Sequence, residues 1–307
     1  MRVLVVGAGG VGGYFGARLV RAGAAVTFLA RGAHLEAIRR QGLRIRSVVD
    51  GEWTVKAEAV DDLRGRPPVD VVLFCVKSFD TETAAAALRP ALGPGTAVVS
   101  LQNGVDNEAT LDRVLGPDHA VGGVAYVFAS IESPGVISHR LGGRVVLGEL
   151  DGRASPRLER LREVFVTAGV PAEVVPDIRR ALWEKYLMIT AQAGTTALTR
   201  APVGVIRAVP ETWRLYRLIA EELAALGRAE GVALDGGVVD AVVRAAEGLA
   251  PEALSSMYHD LVQGRRLEIE ALHGRAVRQG ERLGVPTPTV FAVYAALKPH
   301  ADGRAAG

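Results

Sequence analysis

The residues best placed to do chemistry begin at Gly7-Ala8-Gly9-Gly10-Val11-Gly12, a G-x-G-x-x-G run directly after the apolar segment at residues 3–6. That context predicts a strand, a tight turn and a helix. Gly7 permits the turn, Gly9 lets the backbone approach a pyrophosphate, and Gly12 lets the helix pack on the strand with its N-terminus facing the anion. The next strand-like run, residues 25–30, leads into Arg31-Gly32, and no acidic residue follows until Glu36. An acid there would bind the ribose 2′-hydroxyl of NAD, whereas a guanidinium suits the 2′-phosphate of NADP. Arg31 therefore predicts NADPH.

A second group of polar residues sits where ligands of parallel sheets are met, in loops after strand-like runs. Lys77 follows the run at residues 69–76, and Gln102-Asn103 follows the run at 97–101; both loops are expected at the nicotinamide end. Of 36 basic residues only four are lysine, at 56, 77, 185 and 298, and asparagine occurs only at 103 and 107. Arginine is the default cation of this chain. A retained lysine is thus a pointer to a position that needs a titratable ammonium, since Arg holds its proton throughout the accessible pH range. Lys185, within Trp183-Glu184-Lys185, lies in a segment of helical period, and further acids follow at Asp260, Glu268 and Glu270.

The elements that must position these residues fall into two patterns. Strand-like runs at residues 3–6, 25–30, 69–76, 97–101, 121–128, 145–147 and 172–175 alternate with helical segments, and predict a Rossmann-type parallel sheet covered by helices. A hairpin is expected from residues 43–48 and 54–60, turning at Asp50-Gly51. After Pro176 the strand runs stop, and residues 179–198, 211–229, 238–249 and 267–283 read at helical period. The expected fold is therefore α/β, with an NADP-binding domain at residues 1–176 and an all-α domain at 177–307. A frayed tail is expected from residue 300.

Composition bounds the partners. Lys+Arg 36 against Asp+Glu 34 gives a net charge of +2, too balanced for a nucleic-acid or anionic-membrane footprint. Cys75 is the single cysteine, which leaves no intrachain disulfide or thiolate metal cluster and fits a reducing cytoplasm. No membrane span and no metal are expected. The apolar face of residues 211–229 suits either a homodimer contact or the core of its own domain.

In order, G-x-G-x-x-G, Val-Lys-Ser, Gln-Asn-Gly, Trp-Glu-Lys, Ser-Met-x-x-Asp and Gly-Arg-x-x-Glu-Ile span nearly the whole chain, and the set resembles the ketopantoate reductase family. The resemblance implies NADPH-dependent reduction of 2-dehydropantoate to pantoate, a step toward pantothenate and coenzyme A. It implies Lys185 as the acid, Glu268 as the carboxylate contacting substrate and cofactor, and Ser256 as a substrate hydrogen-bond donor. The sequence departs from the family at Ile189 and Ala193, one and two helical turns after Lys185, and at Val203, where members often carry Asn. Apolar groups at Ile189 and Ala193 in the substrate wall favour a different or bulkier ketone as the rival substrate. The same residues would also suit an imine or hydroxy-acid dehydrogenase, or a non-catalytic NADP-binding sensor.

Overall fold

The computed structural model describes residues 1–303. Two compact units account for them: Met1–Gln102 with Asp106–Ile178, and a second that begins at Arg179 and also takes in Asn103–Val105.

In chain order the first unit runs β1 (Arg2–Val6), α1 (Gly10–Arg21), β2 (Ala25–Leu29), α2 (Gly32–Gln41), β3 (Leu43–Ser47), β4 (Gly51–Val55), β5 (Glu58–Val60) and β6 (Val71–Phe74). It continues with α3 (Thr81–Leu88), β7 (Ala97–Ser100), α4 (Asn107–Leu115), β8 (Ala120–Ser133), β9 (Val136–Gly148), α5 (Pro156–Thr167) and β10 (Ala172–Val174). All ten strands join one sheet in the order β4-β3-β9-β8-β7-β6-β1-β2-β5, with β10 also pairing β9. The pairings are parallel except β3 with β4 and β8 with β9. The central strands are unbroken apolar runs because helices cover both faces. Alternate residues serve opposite cores: Val3, Val5, Leu73 and Val99 pack with Phe15 and Phe28, while Leu4, Val6, Val72 and Phe74 pack with Leu88 and Leu111.

The expected hairpin is real but shorter and shifted. Its arms are β3 and β4, paired from Leu43↔Val55 to Ser47↔Gly51, so the loop is residues 48–50 and Gly51 starts the return strand at φ +72°. The Ser47 hydroxyl closes that loop by accepting the N–H groups of Val49 and Asp50. Residues 58–60 leave the hairpin altogether and extend the sheet beside β2. The runs at 121–128 and 145–147 are parts of one long two-stranded arm, β8–β9, whose outer part is exposed along β8 at residues 130–133 while Ile137 and His139 of β9 are buried.

The second unit holds α6 (Ile178–Thr199, whose first residue belongs to the first unit), α7 (Val203–Ala208), α8 (Pro210–Ala229), α9 (Val238–Glu247), α10 (Ser256–Val262), a π-helical turn (Glu270–Gly274), α11 (Arg275–Leu283) and α12 (Pro288–Leu297). Among the described residues no strand occurs there. The apolar face of α8 lies inside this unit: Tyr216, Ile219, Leu223 and Leu226 pack with Trp183, Leu187 and Val293. That face is core, not a contact held for a second copy. The segment expected as one helix over 267–283 contains the π-turn, where the N–H of Arg275 reaches back five residues to the carbonyl of Glu270. The expected fraying at 300 is corrected for residues 300–303: Leu267 donates its N–H to the Ala301 carbonyl at 2.9 Å, and Ala301 is buried. The remainder of that tail lies outside the described residues. No helix among the described residues is long and apolar enough to cross a membrane.

Candidate active site

In the first unit the glycine run forms the turn between β1 and α1. Gly7 holds φ +92°, and a Cβ on it would lie 2.8 Å from the backbone nitrogen of Val76. A side chain on Gly12 would strike the Gly7 carbonyl and come within 2.9 Å of Val5 Cγ1, so Gly12 permits the close packing of α1 on β1. Gly10 faces the backbone of Ala129 and Ser130 on β8 and leaves no room for a Cβ. Gly9 differs from all three: nothing lies within 4 Å of where its Cβ would be. Gly9 is also the N-cap of α1, with no side-chain cap bond and no acidic residue in the first turn, while Arg18 and Arg21 occupy the last. The positive end of α1 therefore lacks any negative group of its own, which fits an anionic pyrophosphate ahead of Gly9-Gly10-Val11.

Arg31 follows β2 as the N-cap residue of α2, and its side chain is 84% exposed. Its nearest charge is Asp80, with Nη2 3.5 Å from Oδ2. An exposed pair at that distance holds the guanidinium only loosely.

Lys77 is half-buried and precedes the short 3-10 turn Ser78–Asp80, closed by the Asp80 N–H on the Lys77 carbonyl at 2.9 Å. Gln102 is buried and engaged within the protein: its amide donates to the Val76 carbonyl at 3.0 Å and to Thr81 Oγ1 at 2.8 Å. It braces the two loops that carry Lys77 and Asn103. Burial pushes the Cys75 thiol up, which keeps it from acting as a thiolate.

The second unit contains Asn103, Lys185, Ile189, Ala193, Ser256 and Glu268. Lys185 and Glu268 are 8% and 6% exposed, an unusual burial for charged residues. One hydrogen bond joins their segments. The hydroxyl of Tyr186, fully buried beside Trp183, donates to the carbonyl of Leu272 in the π-turn, and the Leu272 N–H donates to the carbonyl of Glu268 at 3.1 Å. Such a bond in a dry core is costly to lose, so it fixes the register between α6 and the stretch that begins at Glu268.

Other polar residues of the motifs do structural work. Glu184 is bonded by Arg180 at 2.8 Å on the outside of α6. Asp260 accepts from Arg265 at 2.7 Å and closes the turn after α10, where Gly264 has φ +62°. Glu270 is gripped by Lys298, by Arg278 at 2.8 Å and by the Tyr294 hydroxyl at 2.8 Å. Burial works against its charge, but those bonds outweigh it and hold its carboxyl down to about 2. Lys298, one of the retained lysines, thus serves an ion pair.

Ser256 is exposed at the start of α10. Its neighbour Ser255 caps that helix, accepting the Tyr258 N–H at 3.0 Å, and takes a bond from Thr196 Oγ1 of α6 at 2.6 Å. Ile189 is partly buried, and Ala193 and Val203 are buried. Sequence reasoning missed Tyr186, whose signal was a tyrosine beside the retained lysine. It gave no weight to His34 either, whose ring bonds to the backbone of Ala8 and Gly135.

Comparison with known proteins identifies the family. Residues 3–152 match the family model described as ketopantoate reductase PanE/ApbA, and residues 177–301 match its C-terminal counterpart. A 2-dehydropantoate 2-reductase of Mesorhizobium japonicum is 34% identical, covering 97% of each chain. The crystal structure of a PanE/ApbA family ketopantoate reductase from Ralstonia eutropha is 37% identical, covers 98% of both chains and superposes with a TM-score of 0.89. D-mandelate dehydrogenase, solved with NADH and anilino(oxo)acetate, shares the fold at a TM-score of 0.92 over 98% of both chains, with 21% identity. The chain belongs to the ketopantoate reductase family, oxidoreductases that act on CH–OH groups and use a nicotinamide cofactor.

Proposed function

We propose that the protein reduces 2-dehydropantoate to pantoate with NADPH, in the route to pantothenate and coenzyme A. The observation that carries this reading is the burial of Lys185 and Glu268 on segments tied together through Tyr186 and Leu272. When bound, the dihydronicotinamide supplies the hydride for the keto carbon. Lys185 donates the proton to the keto oxygen, and its positive charge stabilises the oxyanion before transfer. Glu268 offers an acceptor to a substrate hydroxyl, while Ser256 donates to the substrate. Residues 7–12 hold the pyrophosphate, Arg31 the 2′-phosphate, and Lys77 and Asn103 the nicotinamide end, with Gln102 bracing their loops. NADPH and a single, half-buried thiol are in keeping with a cytoplasmic setting.

The test is Lys185→Ala. It should lower kcat by roughly 10² to 10⁴ with NADPH affinity unchanged, and Lys185→Arg should restore little of it. Near wild-type turnover in the alanine variant would sink the proton-donor assignment.

A second reading concerns the substrate. The partly buried Ile189 and the buried Ala193 replace amides by apolar groups along α6, and the D-mandelate dehydrogenase neighbour was solved with an aryl keto acid analogue. On this reading the protein prefers keto acids with larger apolar substituents. Because Ala193 is built into the core, Ile189→Asn is the cleaner variant: burying an amide at 193 carries a desolvation cost. Comparing kcat/KM for 2-dehydropantoate and phenylglyoxylate decides the matter. A preference for 2-dehydropantoate by several orders of magnitude would overturn the second reading.

A further inference from the structure

His34 is the third residue of α2, and its ring joins two distant stretches of backbone. Nε2 lies 2.8 Å from the carbonyl oxygen of Ala8, inside the glycine run, and Nδ1 lies 3.0 Å from the amide nitrogen of Gly135, at the tip of the β8–β9 arm. The tautomer follows from the partners. A backbone N–H can only donate, so Nδ1 is the unprotonated acceptor; the ring proton is on Nε2 and is donated to the Ala8 carbonyl. Both bonds require the neutral imidazole. Burial lowers the pKa of His34, with the Ala8 bond opposing, and so favours that form.

The tip is itself anchored. Gly135 has φ +78°, sits so close to α2 that a Cβ would lie 2.9 Å from Ala37 Cβ, and passes its carbonyl to the Arg44 N–H at 2.9 Å. His34 is therefore held to β3 and the β8–β9 arm, and through them grips the loop. The peptide between Ala8 and Gly9 is planar and trans, so its C=O and N–H point in opposite directions. Drawing the Ala8 oxygen toward His34 aims the Gly9 N–H away from the ring, at the one glycine of the run with nothing within 4 Å of its Cβ position.

We propose that His34 is a positioning residue for cofactor binding: by clamping the Ala8 carbonyl to the β8–β9 tip it orients the Gly9 N–H toward the cofactor's pyrophosphate. The proposal rests on the dinucleotide reading of the glycine run. Its effect is confined to the pyrophosphate, so adenosine 2′-monophosphate, which shares the adenine and 2′-phosphate but has no pyrophosphate, serves as the control ligand.

The experiment is calorimetric titration of the full chain, wild type, His34→Ala and His34→Gln, with NADPH and with adenosine 2′-monophosphate. His34→Ala should weaken NADPH about tenfold and leave adenosine 2′-monophosphate unchanged. His34→Gln, whose amide can donate to Ala8 and accept from Gly135, should recover most of the loss. Equal NADPH affinity in wild type and His34→Ala overturns the proposal, as does equal weakening of both ligands, which marks a merely structural residue. Wild type that binds neither ligand overturns the dinucleotide reading and the proposal with it. A measurement on unmutated protein guards against variants that fail to fold: the ¹⁵N spectrum of His34 at pH 7 should show the neutral Nε2–H tautomer, and a charged ring or the Nδ1–H form overturns the assignment.

Discussion

Arg31 and Asp80 stand 3.5 Å apart on the surface, and the balance between them bears on cofactor choice. A 2′-phosphate would compete with Asp80 for the guanidinium and win on charge, whereas a 2′-hydroxyl would not. A hydrogen bond to a charged group contributes about 1.5–3 kcal/mol, and exposure of Arg31 places the effect at the lower end. Arg31→Ala should therefore raise the Michaelis constant for NADPH by roughly tenfold and leave that for NADH nearly unchanged. Equal changes in steady-state kinetics would remove Arg31 from the 2′-phosphate site. At this scale the sequence was informative where chemistry is tied to residue type: a glycine spacing, an arginine at a strand end, a lysine in an arginine-rich chain. It was silent where side chains serve backbone. His34 and Gln102 both act on carbonyls brought near by the sheet, at Ala8 and Val76, and nothing in the sequence pairs 34 with 8 or 135.

The π-turn after Glu268 is the element with the least comfortable interior. His273 is fully buried against α6, and neither ring nitrogen makes a hydrogen bond of normal geometry. Gly194 makes room for it: a Cβ there would lie 2.5 Å from Nε2. Burial pushes the His273 pKa down to about 4, with the Thr190 carbonyl only partly offsetting. The folded state thus keeps this ring neutral where the unfolded chain, near 6.5, is already binding a proton. Its contribution to stability is complete above pH 6.5, falls as the pH drops toward 4, and is constant below that. Between pH 7 and pH 5 this group alone should cost about 2 kcal/mol. His273→Leu should abolish that part of the decline and leave stability at pH 7 equal or higher, because an unsatisfied polar group is removed from the core. Urea unfolding at the two pH values measures it, and parallel losses in variant and wild type would show that the ring is relieved by a partner. Elements with strong apolar patterns were legible, as β1, β6 and β7 show. The outer half of β8–β9 was not, because polar residues such as Ser130 and Ser138 pair there through backbone bonds and break the apolar pattern, while His139 is buried within the arm. Short α7, α10 and α12 were missed for a related reason: with six to ten residues each, they depend on packing more than on a long periodic pattern.

At the scale of the whole molecule, the switch from strand-like runs to helical periods near residue 176 was plain in the sequence, whereas the allotment of Asn103–Val105 to the helical unit was not. That excursion is three residues long, and its apolar member, Val105, packs with the second unit's core. The two cores of the first unit, by contrast, draw every member from within residues 1–178, on both faces of one sheet. A domain of this size normally buries enough apolar surface to fold alone. Release of Val105 from its partners should cost the fragment little, since a partly buried valine gives up at most about 1–2 kcal/mol of burial. A fragment of residues 1–178 should therefore melt cooperatively and bind adenosine 2′-monophosphate as tightly as the full chain does, because the groups proposed for that half of the cofactor all lie within it. Ligand at a hundred times its dissociation constant should stabilise the fragment by about 2.7 kcal/mol. Calorimetry decides between outcomes: a fragment that folds but shows no ligand-dependent shift would mean that residues beyond 178 build the adenine end of the site, and a fragment with no cooperative transition would mean that the sheet depends on the helical unit for its stability.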